Sequence, residues 1–116
     1  DSNICNAIAQ SVPECVNVVG QFNLLESAAL MSGAVMNYVN DSAPLHLCSA
    51  VNAPVTVFFC STVKDFGFGP LSDVQFLIET HQLSCRPCGL HGYNACPKKH
   101  FKCGEDLLPY IQSVSL

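Results

Sequence analysis

The segment from Ala34 to Phe59 constrains the fold more than any other part of the chain. It reads as a short apolar run from Ala34 to Val39, a polar turn Asn40-Asp41-Ser42-Ala43-Pro44, a helix over Leu45 to Val51, and a β-branched run from Val55 to Phe59. Both runs are apolar at successive rather than alternate positions, which suits strands covered on both faces. Such strands belong to parallel sheets, whose neighbours are joined by crossovers that helices usually supply. The expected architecture is α/β, a Rossmann-like parallel sheet with helices on each side.

The flanks extend the same pattern. Ser2 is placed to cap a helix whose apolar side is Ile4, Ile8 and Val12, and Pro13 stops it. Val16 to Val19 reads as a strand ended by Gly20. Asn23 and Glu26 have capping-box spacing ahead of Leu24, Leu25, Ala28 and Ala29. After Cys60 comes a Gly- and Phe-rich loop, Phe66 to Pro70, then a strand over Val74 to Ile78. A terminal helix is expected over Leu107 to Val114, with Glu105 and Asp106 at its positive end and Pro109 in its first turn. The reading divides the chain into a sheet-bearing part, residues 1–84, a Cys-rich basic knuckle within the same domain, residues 85–103, and a C-terminal helix, residues 104–116.

Composition narrows the function. With 116 residues the chain can enclose one core. Apolar residues are 49% and charged residues 12%, against about 25% charged in an ordinary soluble domain, so disorder is excluded. A net charge of -4 argues against nucleic acid as a partner, because that affinity is built from clustered Lys and Arg. The longest apolar run, Pro54 to Cys60, is far short of the roughly 18–20 residues that span a bilayer. The chain begins Asp1-Ser2-Asn3-Ile4-Cys5, with no basic and apolar leader, as expected of either a processed mature chain or a piece of a larger one.

Eight cysteines first suggest a secreted disulfide-rich binding module. Their spacing divides them. Cys5, Cys15, Cys48 and Cys60 lie in or beside predicted elements and read as small buried residues. Cys85-x2-Cys88-x7-Cys96-x6-Cys103 opens like a tetrahedral thiolate site. That set can close a structural Zn site, with His91 or His100 replacing one sulfur, or hold an iron–sulfur cluster; local disulfides and free thiols are the other readings. A zinc-stabilised interaction module is therefore a second alternative. The same knuckle carries Arg86, Lys98, Lys99 and Lys102 and no carboxylate.

In open α/β sheets ligands bind beyond the carboxyl ends of the strands, where loops lead into helices. The Asn40 to His46 turn has that position. Unpaired amides and partial positive charge at a helix start favour phosphate. Ser42 with the amides near Ala43, Leu45 and His46 can hold a pyrophosphate, Asp41 can accept from sugar hydroxyls, and His46 can donate to a phosphate oxygen. The bland reading is an N-cap and a packed histidine.

The string NDSAPLHLCSAVNAPVTVFFCST resembles the stretch Asn-Asp-Ser-Gly-Pro-x-His, Ala-rich helix, x-x-Pro-x-x-x-x-Phe-Gly-x-Thr of glycosyltransferase family 9, the bacterial heptosyltransferases. NLLESAALMSGAVMNYV before it, and FGFGPLSD and CRPCGLHGYNACPKKHFKCGEDLLPYI after it, extend the resemblance from about Asn23 to the end. The resemblance implies a GT-B architecture of two Rossmann-like domains, this chain being a partial C-terminal, donor-binding one. Carried over, Asp41 matches the aspartate at the transferred heptose, Ser42, Ala43 and Pro44 the phosphate turn with Leu45 beside it, His46 the motif histidine, and Phe22 a side chain against adenine. Ala43 and Cys60 stand where the family usually has Gly, adding β-carbons where backbone approaches ligand.

The function so implied is inverting transfer of heptose from ADP-heptose to the lipopolysaccharide inner core, either Kdo-lipid A or an already heptosylated core. No cofactor is needed for that catalysis, and the general base comes from an N-terminal domain outside this chain, so the chain by itself is expected to be inactive. The implied location is cytoplasmic, with peripheral contact to the inner face of the inner membrane, and the knuckle cations can approach the acidic acceptor.

Overall fold

The computed structural model describes residues 2–113. Its elements in chain order are α1 (Ser2–Ser11), α2 (Leu24–Ser32), β1 (Asn37–Asn40), α3 (Ala43–Ala50), β2 (Val55–Phe59), a 3-10 turn (Lys64–Phe66), β3 (Gln75–Glu79), α4 (Lys102–Glu105) and α5 (Leu108–Ser113). The three strands form one parallel sheet in the order β1-β2-β3. The α/β class expected from the sequence is the class observed.

β2 lies between its two neighbours, with Val57 opposite Val39 on one side and Leu77 on the other. Val55, Val57 and Phe59 point to one face and are fully buried there with Leu45 and Cys48 of α3, and Met31 of α2 closes the cluster. Burying a Val, Leu or Phe contributes about 1.5–3 kcal/mol each, so this small cluster carries much of the fold. Asn37 ties its layers together, donating to the Met31 carbonyl at 3.0 Å and the Pro54 carbonyl at 2.9 Å. The helices packed on this core, α2 and α3, share one face. On the opposite face Thr56 is buried, but Tyr38 and Phe76 stay 44% and 55% exposed above a groove that Tyr110 of α5 helps to line. Cover on both faces was expected, and among the described residues the second face is covered in part.

The crossover from β2 to β3 contains no α-helix and is held against α3 by side chains. Asn52 donates to Asp73 Oδ2 at 2.8 Å and accepts from the Asp73 amide at 2.9 Å. The buried Ser72 hydroxyl donates to the Cys48 carbonyl, and the Leu71 amide donates to Ser49 Oγ.

Several boundaries differ from the sequence reading. Val16 to Val19 forms no strand, because Asn17 Oδ1 accepts from the Val19 amide and Gln21 N–H turns back to the Val18 carbonyl, so local bonds replace a ladder. β1 begins at Asn37 rather than Ala34, whose amide still closes the exit of α2 on Met31. β3 is shifted one residue, to Gln75–Glu79. Ser2 is the first helical residue of α1 rather than the one before it, and Ile4, Ile8 and Val12 remain substantially exposed. Near the C-terminus Glu105 ends α4, Asp106 caps it, and Leu107 is buried ahead of α5; Val114 lies outside the described residues.

Candidate functional site

β1 ends at Asn40, and the chain turns through Asp41 and Ser42 into α3 at the carboxyl edge of the sheet. Ser42 is the N-cap in extended conformation, yet its hydroxyl makes no cap and donates instead to Asn40 Oδ1 at 2.7 Å. Pro44 in the first turn has no N–H to leave unpaired. The Leu45 amide donates to the Ser42 carbonyl at 3.0 Å and its side chain is fully buried. The Leu45 side chain is thus part of the core, because α3 must turn its apolar side onto β2.

This turn opens on a cleft of about 540 Å³. β1 and α3 contribute Asn40, Asp41, Ser42, Ala43 and His46; the end of β2 contributes Phe58, Cys60, Ser61 and Thr62; the loop beyond contributes Phe68, and the knuckle contributes Leu90 and His91. The His46 and Phe68 rings meet edge to face, with centroids 6.1 Å apart. Thr62 is buried and its hydroxyl donates to Asp41 Oδ2 at 2.5 Å, a short bond of the charge-assisted kind. Burial pushes the Cys60 thiol above its ordinary range, while Arg86 nearby opposes the shift. Among the described residues neither Lys nor Arg lines the cleft, Asp41 is its one carboxylate, and His46 and His91 are its two histidines.

The knuckle is fastened to this edge of the sheet. The Arg86 side chain is 5% exposed; its Nη2 donates to the Thr62 carbonyl at 2.7 Å, the Phe59 carbonyl at 3.3 Å and Glu79 Oε2 at 3.0 Å, and its Nη1 donates to the Thr80 carbonyl. The Cys88 amide donates to the Ser61 carbonyl at 2.8 Å. Arg86 is therefore turned inward, unlike the exposed Lys98, Lys99 and Lys102.

Of the residues expected at a donor site, Asp41, Ser42, Ala43 and His46 come together at the cleft, and Pro44 shapes its helix start. Phe22 does not join them: it lines a separate groove with Ile8, Val16, Leu30 and Met31, between α1 and α2. Thr62, Phe68 and His91 are added by the structure. Thr62 carried a signal in the sequence, since it closes the Phe-x-x-Thr string at the end of β2; the knuckle's approach carried none.

All eight cysteines are free thiols, contrary to the disulfide-rich alternative. Cys88, Cys96 and Cys103 line a small cavity of about 50 Å³, whereas Cys85 lies beside His100, with Sγ 3.9 Å from Nε2. Among the described residues no three His, Cys, Asp or Glu side chains are grouped so as to hold a metal ion. Among the same residues no helix is long and apolar enough to cross a membrane.

A parallel sheet whose strand-to-helix turn faces a cleft at its carboxyl edge defines an α/β unit of the Rossmann-like class. Residues 1–97 match the model of glycosyltransferase family 9 (heptosyltransferase), and the chain belongs to that family. It is 32% identical over 83 residues to lipooligosaccharide heptosyltransferase 2 of Haemophilus influenzae, a match covering 67% of this chain and 24% of that protein. The chain thus spans about a quarter of the curated relative it matches. No solved structure gives a significant match.

Proposed function

We propose that this chain is the donor-binding part of a GT-B heptosyltransferase that moves heptose from ADP-heptose to the lipopolysaccharide inner core, either Kdo-lipid A or its heptosylated product, on the cytoplasmic side of the inner membrane. The observation that carries the reading is the cleft in which Asp41 and His46 flank the start of α3, joined by Thr62, in a chain of glycosyltransferase family 9. The name of the Haemophilus relative supports heptose as the transferred group.

The chemistry follows from the side chains. A diphosphate leaving from the anomeric carbon gathers negative charge, which the start of α3 and the His46 imidazole can stabilise. Thr62 donates to Oδ2 of Asp41, which leaves the carboxylate free to accept further hydrogen bonds from sugar hydroxyls. The acceptor hydroxyl attacks opposite the departing diphosphate, giving inversion, and its base is supplied by residues outside this chain. Lys98, Lys99 and Lys102 are exposed and face solvent as a basic patch suited to an acidic acceptor.

The test is transfer by the complete protein encoded by the reading frame, given ADP-heptose and Kdo-lipid A or heptosylated core, with the acceptor mass and the anomeric configuration as readouts. An inverted heptose adduct is expected. Hydrolysis without transfer, or no reaction with either acceptor, overturns the reading.

A further inference from the structure

Three structural facts converge on one side chain of the knuckle. The Arg86 guanidinium reaches the carbonyl of Phe59 at the end of β2, the carbonyls of Thr62 and Thr80 beyond β2 and β3, and the carboxylate of Glu79. It does so from a buried position, and Glu79 beside it is buried as well, with side chains 5% and 10% exposed. The residue whose carbonyl it holds at 2.7 Å is the residue whose hydroxyl holds Asp41.

We propose that Arg86 is a positioning residue for Asp41, acting through Thr62. The inference rests on the donor-site reading above and adds a residue that touches no substrate. A planar guanidinium with donors in a fixed fork suits this task, because it meets several carbonyls from one place. With the Thr62 carbonyl fixed by Arg86 and its hydroxyl fixed on Asp41, the Thr62 backbone and rotamer are held at both ends. Losing the guanidinium frees one end, and the carboxylate then loses its set orientation toward the cleft. Misplacement on the scale of about 1 Å costs on the order of a hundredfold in rate when the group lies at the reacting centre.

The experiment uses the complete protein with Thr62 methyl-labelled for NMR, and compares Arg86→Gln, Arg86→Lys, Thr62→Val, Thr62→Ser and the Arg86→Gln/Thr62→Val pair. Arg86→Lys keeps a cation beside Glu79 but cannot span the carbonyls of Phe59, Thr62 and Thr80 together, so it reports on positioning if Arg86→Gln fails to fold. Expected are rotamer averaging at Thr62 in both Arg86 variants and about a tenfold or greater fall in kcat/KM for the sugar nucleotide. ADP affinity should stay within about twofold, Thr62→Ser, which keeps the hydroxyl, should recover part of what Thr62→Val loses, and the pair should be no worse than its worse single member, since residues acting as one unit are not additive. A Thr62 rotamer that stays fixed in both Arg86 variants, or losses that multiply in the pair, overturns the inference. If the wild-type protein transfers no heptose, the donor-site reading fails by itself, and the Thr62 rotamer still decides whether Arg86 holds it.

Discussion

Gly92 lies so close to Ser61 that an added β-carbon would stand 2.6 Å from the Ser61 hydroxyl oxygen. Gly92 also has a φ of +77°. Left-handed backbone costs a non-glycine residue about 1–2 kcal/mol, and the β-carbon would displace the Ser61 hydroxyl. Gly92→Ala should lower stability by about this amount, read as a fall in the urea midpoint at unchanged m-value, and should weaken donor affinity because Ser61 lines the cleft.

His46 meets the cleft beside Asp41 and is braced by Phe68. A hydrogen bond to a charged group is worth about 1.5–3 kcal/mol, so His46→Ala should reduce ADP affinity of the complete protein by roughly tenfold or more in a calorimetric titration. His46→Gln, which keeps a donor, should recover part of it.

Lys98, Lys99 and Lys102 sit on the exposed part of the knuckle. Changing all three to Ala should raise the KM for the acidic acceptor and flatten its salt dependence, with the KM for the sugar nucleotide unaltered. An acceptor KM and salt dependence like those of the wild type would refute an acceptor role for these lysines.

The thiols should differ in reactivity. Hydrogen bonds from the backbone of Phe101, and then of His100, hold the Cys96 thiol below its ordinary range, so its thiolate fraction at neutral pH is raised. Burial pushes Cys48, Cys60 and Cys103 the other way. Under limiting alkylation near pH 7, peptide mass spectrometry should find Cys96 labelled ahead of Cys48, Cys60 and Cys103, and the lead should shrink as pH rises and the others ionise. Unfolding without reductant should then expose eight modifiable thiols in total, since all eight are free.

The capping box of α2 is complete. Asn23 Oδ1 accepts from the amides of Leu25 and Glu26, each at 3.0 Å, and Glu26 Oε2 accepts from the Asn23 amide at 2.8 Å. Asn23→Ala should cost about 1 kcal/mol, measurable in the same denaturant series.

What could be read in advance was whatever short-range chemistry decides. Asn23 and Glu26 announced α2 because their bonds close within three residues, and Val55 to Phe59 announced β2 because a run apolar on both faces has few other uses. The turn from Asp41 to His46 was legible for the same reason. The groove that Phe22 lines was not legible, because an aromatic before a helix says nothing about which groove receives it, and neither was the burial of Leu45, whose side chain answers to β2 while its neighbours line the cleft. Val16 to Val19 had strand chemistry but no partner, and Asn17 supplied the bonds a ladder would have made. The inward turn of Arg86 depends on contacts with residues 59, 62, 79 and 80, which no local pattern joins.

The crossover between β2 and β3, which has a 3-10 turn and no α-helix, anchors α3. Because Ser49 and the Cys48 carbonyl in the last turn of α3 hold Leu71 and Ser72, and Asn52 just beyond the helix holds Asp73, the helix whose first turn faces the cleft is moored at its far end by the connection itself. α3 is thereby placed between two fixtures, its first turn at the cleft and its last turn against the lead-in to β3.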